Sequence, residues 1–200
     1  MAGLVGRMVR AVGVIREPDL YQMVLRVYLP ILFPLAFLIT LAALEIDALL
    51  GLSPLLPEPL NRVLAALSLV AGAVVWILSY STLVQDGDGS PAPVVRRTQR
   101  LVTSGIYAYC RNPSVHGKLL GFLSIGLFVN STAFCLIVTP AILTVSLIEK
   151  VVRQEPQLID FFGDEYLAYR DSVPLFLPFP GLYRWLKRGR GEAHAQAGPT

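Results

Sequence analysis

In the stretch CRNPSVHGKLLG, Cys110 to Gly121, side chains that hold or move charge stand at the threshold of a long apolar run. Arg111 offers a guanidinium fork for a carboxylate or phosphate, and Asn112 offers both a donor and an acceptor. Ser114 adds a hydroxyl, His116 a group that titrates near neutrality, and Lys118 a compact cation. Pro113 suits the first turn of a helix, where its missing N–H costs nothing, and it drives Asn112 into an extended conformation. The free N–H groups just beyond it could receive an anionic or polar ligand. Gly117 and Gly121 are spaced to let a second helix, or a flat ligand, approach the backbone closely. A second polar stretch, EKVVRQE, contributes Lys150, Arg153, Gln154 and Glu155, and a third runs from Gln99, Arg100, Leu101 and Val102 towards Tyr107.

Simpler roles compete with these. A lone basic residue at a span end, such as Arg111 or Lys118, ordinarily reaches for lipid headgroups. His116 ordinarily serves as a hydrogen-bonded boundary residue, and with the other histidine, His194, near the C-terminus, no metal site is expected. Gln154 and Glu155 could simply cap a helix containing Pro156. No HExxH, CxxC, phosphate-binding loop, GxGxxG or Ser-His-Asp pattern occurs, so hydrolase and P-loop chemistry lack support.

The elements that must position these residues belong in a membrane. Of 200 residues, 54% are hydrophobic and only 16% charged, well below the quarter usual in soluble domains. A bilayer requires each spanning segment to satisfy its own backbone, which points to helices. Val27–Leu44 and Val63–Val84 carry no charge and read as the first two spans. Ser114–Val129 and Ala133–Ile148, separated by NST at Asn130–Thr132, read as a helical hairpin. NST also fits a glycosylation acceptor, but a turn this close to the membrane is a poor one. The two cysteines, Cys110 and Cys135, read as small apolar packing residues.

The formal charge of +3 comes from short basic clusters between apolar runs, a topology signal and not a nucleic-acid surface. Arg7, Arg10, Arg16 and Arg26 precede the first span, Arg96, Arg97, Arg100 and Arg111 follow the second, and Lys150 and Arg153 follow the hairpin. Both termini and the polar stretches are therefore expected on the cytoplasmic face. Leu4, Met8, Val12 and Ile15 recur at near-helical spacing, as in an interfacial helix. Leu158, Phe161, Phe162, Tyr166 and Tyr169 could form one face of further helices broken at Gly163. Such an aromatic stripe is more often an interfacial belt than a cofactor wall. The expected fold is an all-α polytopic membrane bundle of about four spans, the last two a helical hairpin, with interfacial helices at both ends. It divides into an interfacial helix over 1–25, two spans over 26–85, a site-bearing region over 86–180 and a basic tail over 181–200.

With the hairpin, LVTSGIYAYCRNPSVHG and QEPQLIDFFGDEYLAYRDSVPLFLPF resemble the isoprenylcysteine carboxyl methyltransferase family and the related phospholipid methyltransferases. That family shows LVTSGxY, Arg-His-Pro-Ser-Tyr-x-Gly, a hairpin, Glu-Glu-x-x-Leu, Phe-Gly-x-x-Tyr-x-x-Tyr and Val-Pro. The likeness covers residues 86–180, in order and with matching gaps. The resemblance implies an integral membrane enzyme that uses S-adenosylmethionine in a pocket closed by the hairpin and the C-terminal segment. A lipid-side opening admits a membrane lipid or lipidated acceptor. It implies cofactor contacts from Gln99, Arg100, Leu101, Val102, Tyr107, Asn112, Pro113, Ser114, Val115 and Gln154, with His116 and Gly117 adjoining. Lys150 is associated with the acceptor, and Arg153 could share that role; Arg111, Glu155 and Lys150 are the candidate catalytic residues.

Three positions depart from the family pattern: Asn112 replaces His, Val115 replaces Tyr, and Gln154 replaces the first Glu of its pair. Gln154 keeps an acceptor and loses a charge. The leading expectation is methylation of a prenylcysteine-like carboxylate, followed by a phosphatidylethanolamine-type amine with Glu155, Glu149 or His116 as base. An NADPH-dependent membrane reductase and a non-catalytic binding protein of the same fold are the remaining alternatives.

Overall fold

A computed structural model describes residues 24–88, 98–177, 179 and 181. The described residues are helical, without a strand. The first helix runs through a π-helical stretch, Val24–Leu32, into α1, Phe33–Leu50, where Gly51 in the left-handed region ends it. The second, α2, is Leu60–Gly87, and α3 is Pro113–Phe128 with Pro113 in its first turn, as expected. After a turn, one helix continues from Phe134 to Phe162. It comprises π-helical Phe134–Val138, α4 (Thr139–Glu149), π-helical Lys150–Gln154 and α5 (Glu155–Phe162). Gly163, at φ +57°, breaks the chain before α6, Asp164–Ser172.

Leu29–Leu50, Leu60–Gly87 and Phe134–Phe162 are long and apolar enough to cross a bilayer. Most of their surface is not covered by protein, as suits helices whose surroundings are lipid. The chain is thus an integral membrane protein. The remaining expected span, α3, has 16 residues; at about 24 Å it is shorter than the ~30 Å hydrocarbon core. It packs chiefly along α2.

Glycines decide that packing. A Cβ on Gly72 of α2 would meet the Gly117 carbonyl and the Leu120 Cβ at 3.0 Å, and one on Gly117 would meet the Gly72 carbonyl and Trp76 at 3.1 Å. Gly117 is therefore a helix-crossing residue. Across the hairpin, a Cβ on Gly126 would come within 2.7 Å of the Cys135 sulfur and 2.8 Å of the Phe134 ring. Both cysteines are buried and free, in keeping with packing roles.

One end of the bundle is stitched by polar groups. The Asp47 carboxylate, from α1, accepts from the Ser131 hydroxyl and from the Ala133 N–H at 2.7 Å. Asn130 accepts from the Leu56 N–H at 3.2 Å and donates to the Leu56 carbonyl at 2.8 Å. The NST turn is therefore a structural clamp, with the Asn130 amide committed to the neighbouring loop.

The aromatic stripe departs from expectation. Tyr166, Tyr169 and Val173 form a buried cluster against Leu101, Leu158, Ile159 and Phe162. The break at Gly163 turns α6 so that the stripe closes on protein, leaving Phe161 exposed. The polar tip and apolar body of tyrosine suit a lipid interface and a polar cleft equally, so spacing alone could not choose. The expected N-terminal interfacial helix, with Leu4 to Ile15, and the tail over 182–200 lie outside the described residues.

The crossing makes a direct prediction. Gly72→Val should lower the thermal unfolding midpoint of the detergent-solubilised protein, at a cost of about 1–3 kcal/mol for overpacking. Gly121→Ala, whose Cβ would meet nothing within 4 Å, should leave the midpoint nearly unchanged. Equal effects would mean that α2 and α3 do not cross at Gly72.

Candidate functional site

The polar stretches converge at the other end of the helices. The loop after α2 returns to it: the N–H groups of Gln99 and Arg100 donate to the Gly87 carbonyl at 2.9 and 3.1 Å, and the Ser104 hydroxyl donates to Asp86 at 2.6 Å. This turn lays Arg100, Leu101 and Val102 along the end of α2 and feeds Tyr107 into the interior. A cleft opens there, its walls supplied by α2, residues 98–112, the Lys150–Gln154 turn, α5 and α6.

A buried ion pair organises the cleft. The Arg111 guanidinium donates to the Glu155 carboxylate, and their side chains are 8% and 12% exposed. Arg111 therefore turns inward, contrary to the headgroup-seeking role a lone basic residue suggests. Its Nε is buried with no hydrogen-bond partner among the described residues. Glu155 lies within the continuous helix from Phe134, so it is a partner for Arg111 and not a cap.

The π-helical turn at Lys150–Gln154 builds a second polar group. Such a turn is wider than an α-helical one and brings residues five apart into register. Lys150 Nζ donates to Gln154 Oε1 at 2.7 Å, while Gln154 Nε2 donates to Glu149 Oε1 at 3.1 Å. Gln154 thus presents its carbonyl to a cation and its amide to an anion.

The C-terminal segment seals the far wall. The Arg111 N–H donates to the Pro174 carbonyl at 3.0 Å, and Asn112 Nδ2 donates to the Leu175 carbonyl at 3.3 Å. His116 stacks on Phe176 at 4.2 Å, and the Tyr169 hydroxyl donates to the Tyr107 carbonyl at 2.7 Å. Burial pushes the Tyr107 and Tyr169 phenols well above their ordinary range. Burial also raises Tyr166, helped by the Glu155 charge and opposed by Arg111. Burial pushes the Cys110 thiol up to about 11, against the pull of the Asn112 N–H and the Arg111 charge. At neutral pH the phenols remain donors and ring surfaces, and Cys110 is not a thiolate nucleophile.

Of the sequence-predicted residues, Arg100, Leu101, Val102, Tyr107, Arg111, Asn112, Lys150, Gln154 and Glu155 line the cleft together. Gln99, Pro113, Ser114, Val115, His116, Gly117 and Arg153 are not in its lining. Pro113 and Val115 are buried in the packing of α3, and Arg153 is exposed. His116 belongs to the seam with Phe176, and Gly117 to the crossing with α2. Leu83, Thr98, Leu158, Phe162, Tyr166 and Tyr169 also line the cleft without having been singled out as site residues. The last four carried a signal, the helical spacing of the aromatic stripe.

A separate, larger groove runs between α1, α2 and α3. Among the described residues it is lined mainly by apolar side chains such as Leu32, Phe33, Leu69 and Phe122, with the bare backbone of Gly121 and one charged residue, Lys118.

The sequence model of the family described as phospholipid methyltransferase matches residues 60–165, just over half of the chain. The protein-S-isoprenylcysteine O-methyltransferase of Mus musculus is 41% identical over 83 residues, covering 41% of this chain and 29% of that protein. Its counterpart in Schizosaccharomyces pombe is 34% identical over 108 residues, 50% of this chain and 44% of that protein. Cobalt-zinc-cadmium resistance protein CzcN of Cupriavidus metallidurans is 33% identical over 89 residues, 44% of this chain and 40% of that protein. The chain thus spans less than half the length of these curated relatives. No solved structure matches it.

If the Arg111–Glu155 pair organises the cleft, Arg111→Met or Glu155→Leu alone should cost about 3–5 kcal/mol, because each leaves a buried charge unpaired. The double substitution should cost much less than the sum. Denaturant unfolding of the four proteins in detergent measures this, and additive costs would show that the two charges do not depend on each other.

Proposed function

Because the chain belongs to the phospholipid methyltransferase family, we propose that it transfers a methyl group from S-adenosylmethionine to a lipophilic acceptor at the membrane. The acceptor proposed is a prenylcysteine-like carboxylate. The observation that carries this reading is one cleft that brings together Arg111, Asn112, the amide of Gln154, the carboxylate of Glu155 and a wall of aromatic rings.

That set suits a zwitterionic, partly aromatic donor. Arg111 and Asn112 supply hydrogen-bond donors for a carboxylate, while Gln154 and Glu155 supply acceptors for an ammonium. Tyr107, Phe162, Tyr166 and Tyr169 offer ring surfaces for a flat base and for a cationic sulfur. When bound, S-adenosylmethionine supplies an electrophilic methyl group for in-line displacement. The protein's part is to align the acceptor and exclude water. Lys150 holds the acceptor carboxylate by charge; Arg153, exposed on the outer side of the turn, is not needed for it.

A carboxylate is methylated without losing a proton, so the cleft requires no general base. An amine would require one. Glu155 is tied to Arg111, and His116 is stacked on Phe176 outside the cleft lining. These features favour the carboxylate over a phospholipid amine. We assign the cleft and both termini to the cytoplasmic face, on the basic residues flanking the spans.

The test is transfer of labelled methyl from S-adenosylmethionine by the full chain in nanodiscs, offered either a farnesylated cysteine with a free carboxylate or phosphatidylethanolamine. The expected product is a base-labile methyl ester of the former. Lys150→Met should raise KM for the farnesylated cysteine about 10- to 100-fold, the loss of one charge-assisted contact. Base-stable label on phosphatidylethanolamine would overturn the choice of acceptor.

A further inference from the structure

We propose that Lys118 adds to Lys150 in selecting the acceptor, by recognising a carboxylate-headed amphiphile in the apolar groove between α1, α2 and α3. The inference rests on the methyl-transfer reading for the choice of carboxylate over other anions.

Three observations support it. Among the described residues, Lys118 is the one charged residue lining a mainly apolar groove. Five positions beyond Pro113, it lies about 7.5 Å inside the start of α3 and is exposed. Among the described residues no ion pair within contact distance holds it. Second, Lys118 feels the charge of Glu149, and Lys150 feels that of Lys118. The Lys118 end of the groove therefore lies within electrostatic range of Lys150. Third, Gly121 leaves open space on α3, where a Cβ would meet nothing within 4 Å, and the Ser124 hydroxyl is committed to the Gly121 carbonyl at 2.7 Å. A tail in the groove meets no unsatisfied hydroxyl there.

An occupant must therefore match an apolar trough with a single cation at its end. A lipophilic carboxylate does so, with its tail among Phe33, Leu69 and Phe122 and its anion at Lys118. Removing the carboxylate charge removes the complement. The methyl ester of the same molecule should then bind more weakly, which would also help the product leave.

The test compares equilibrium binding of a farnesylated cysteine and of its methyl ester to the full chain in zwitterionic nanodiscs, without methyl donor. The wild-type protein should prefer the free acid by about 10-fold or more. Lys118→Met should shrink the preference by weakening the acid alone, with Lys150 accounting for what remains, and Lys118→Arg should retain it. Lys118→Gln carries the same expectation should the Met variant fail to fold. Gly121→Leu, filling the groove, should weaken acid and ester together. A preference unchanged in Lys118→Met and Lys118→Gln, or absent in the wild type, overturns the proposal. Methyl transfer failing while the Lys118-dependent preference persists would overturn the enzymatic reading and leave the binding role standing.

Discussion

A guanidinium and a carboxylate buried together at the end of a membrane bundle set the terms for the rest of this structure. Neither Arg111 nor Glu155 tolerates that position alone, since an unpaired buried charge costs several kcal/mol, on the order of the stability of a whole domain. Arg111 precedes α3 and Glu155 opens α5, so the pair forms only when the hairpin between them closes in register. The Arg111 backbone N–H also holds Pro174, so the C-terminal segment is pinned at the same point. At the opposite end, Asp47 gathers the turn between the hairpin helices. Polar interactions at both ends fix what apolar helices in lipid would otherwise leave free to slide.

The pairing also explains a departure from the family pattern. At the position usually held by Glu, Gln154 accepts from Lys150 and donates to Glu149 through the π-helical turn. A carboxylate there would still accept from Lys150 but would confront the Glu149 carboxylate. The amide satisfies both neighbours at once. Negative charge in this region is carried by Glu149 and Glu155, on either side of Gln154.

Much of this was legible in the sequence for physical reasons. Uninterrupted apolar runs announce spans because lipid admits nothing else, and Pro113 marks the start of α3 because its ring suits only a first turn. The convergence of Arg111, Lys150 and Glu155 followed from the antiparallel hairpin. Other features carried no local signal. One basic residue at a span end looks the same whether it faces headgroups or a buried carboxylate, so the inward turn of Arg111 needed Glu155 in space. The Leu158–Tyr169 stripe could not reveal whether lipid or protein would cover it. The pairing of Gly117 with Gly72 and of His116 with Phe176 joins distant segments, which spacing within one helix does not encode. The π-helical turn beneath Gln154 has no residue signature.

The most direct test of the account is calorimetric titration of the full chain in nanodiscs with S-adenosylhomocysteine, comparing wild type with Arg111→Lys. The lysine keeps a cation opposite Glu155 but lacks the fork that can meet Glu155 and a ligand together. The account expects one site in the wild type and affinity at least about 10-fold weaker in the variant, with folding preserved. Equal affinity in both, or no binding by folded wild-type protein, would contradict it.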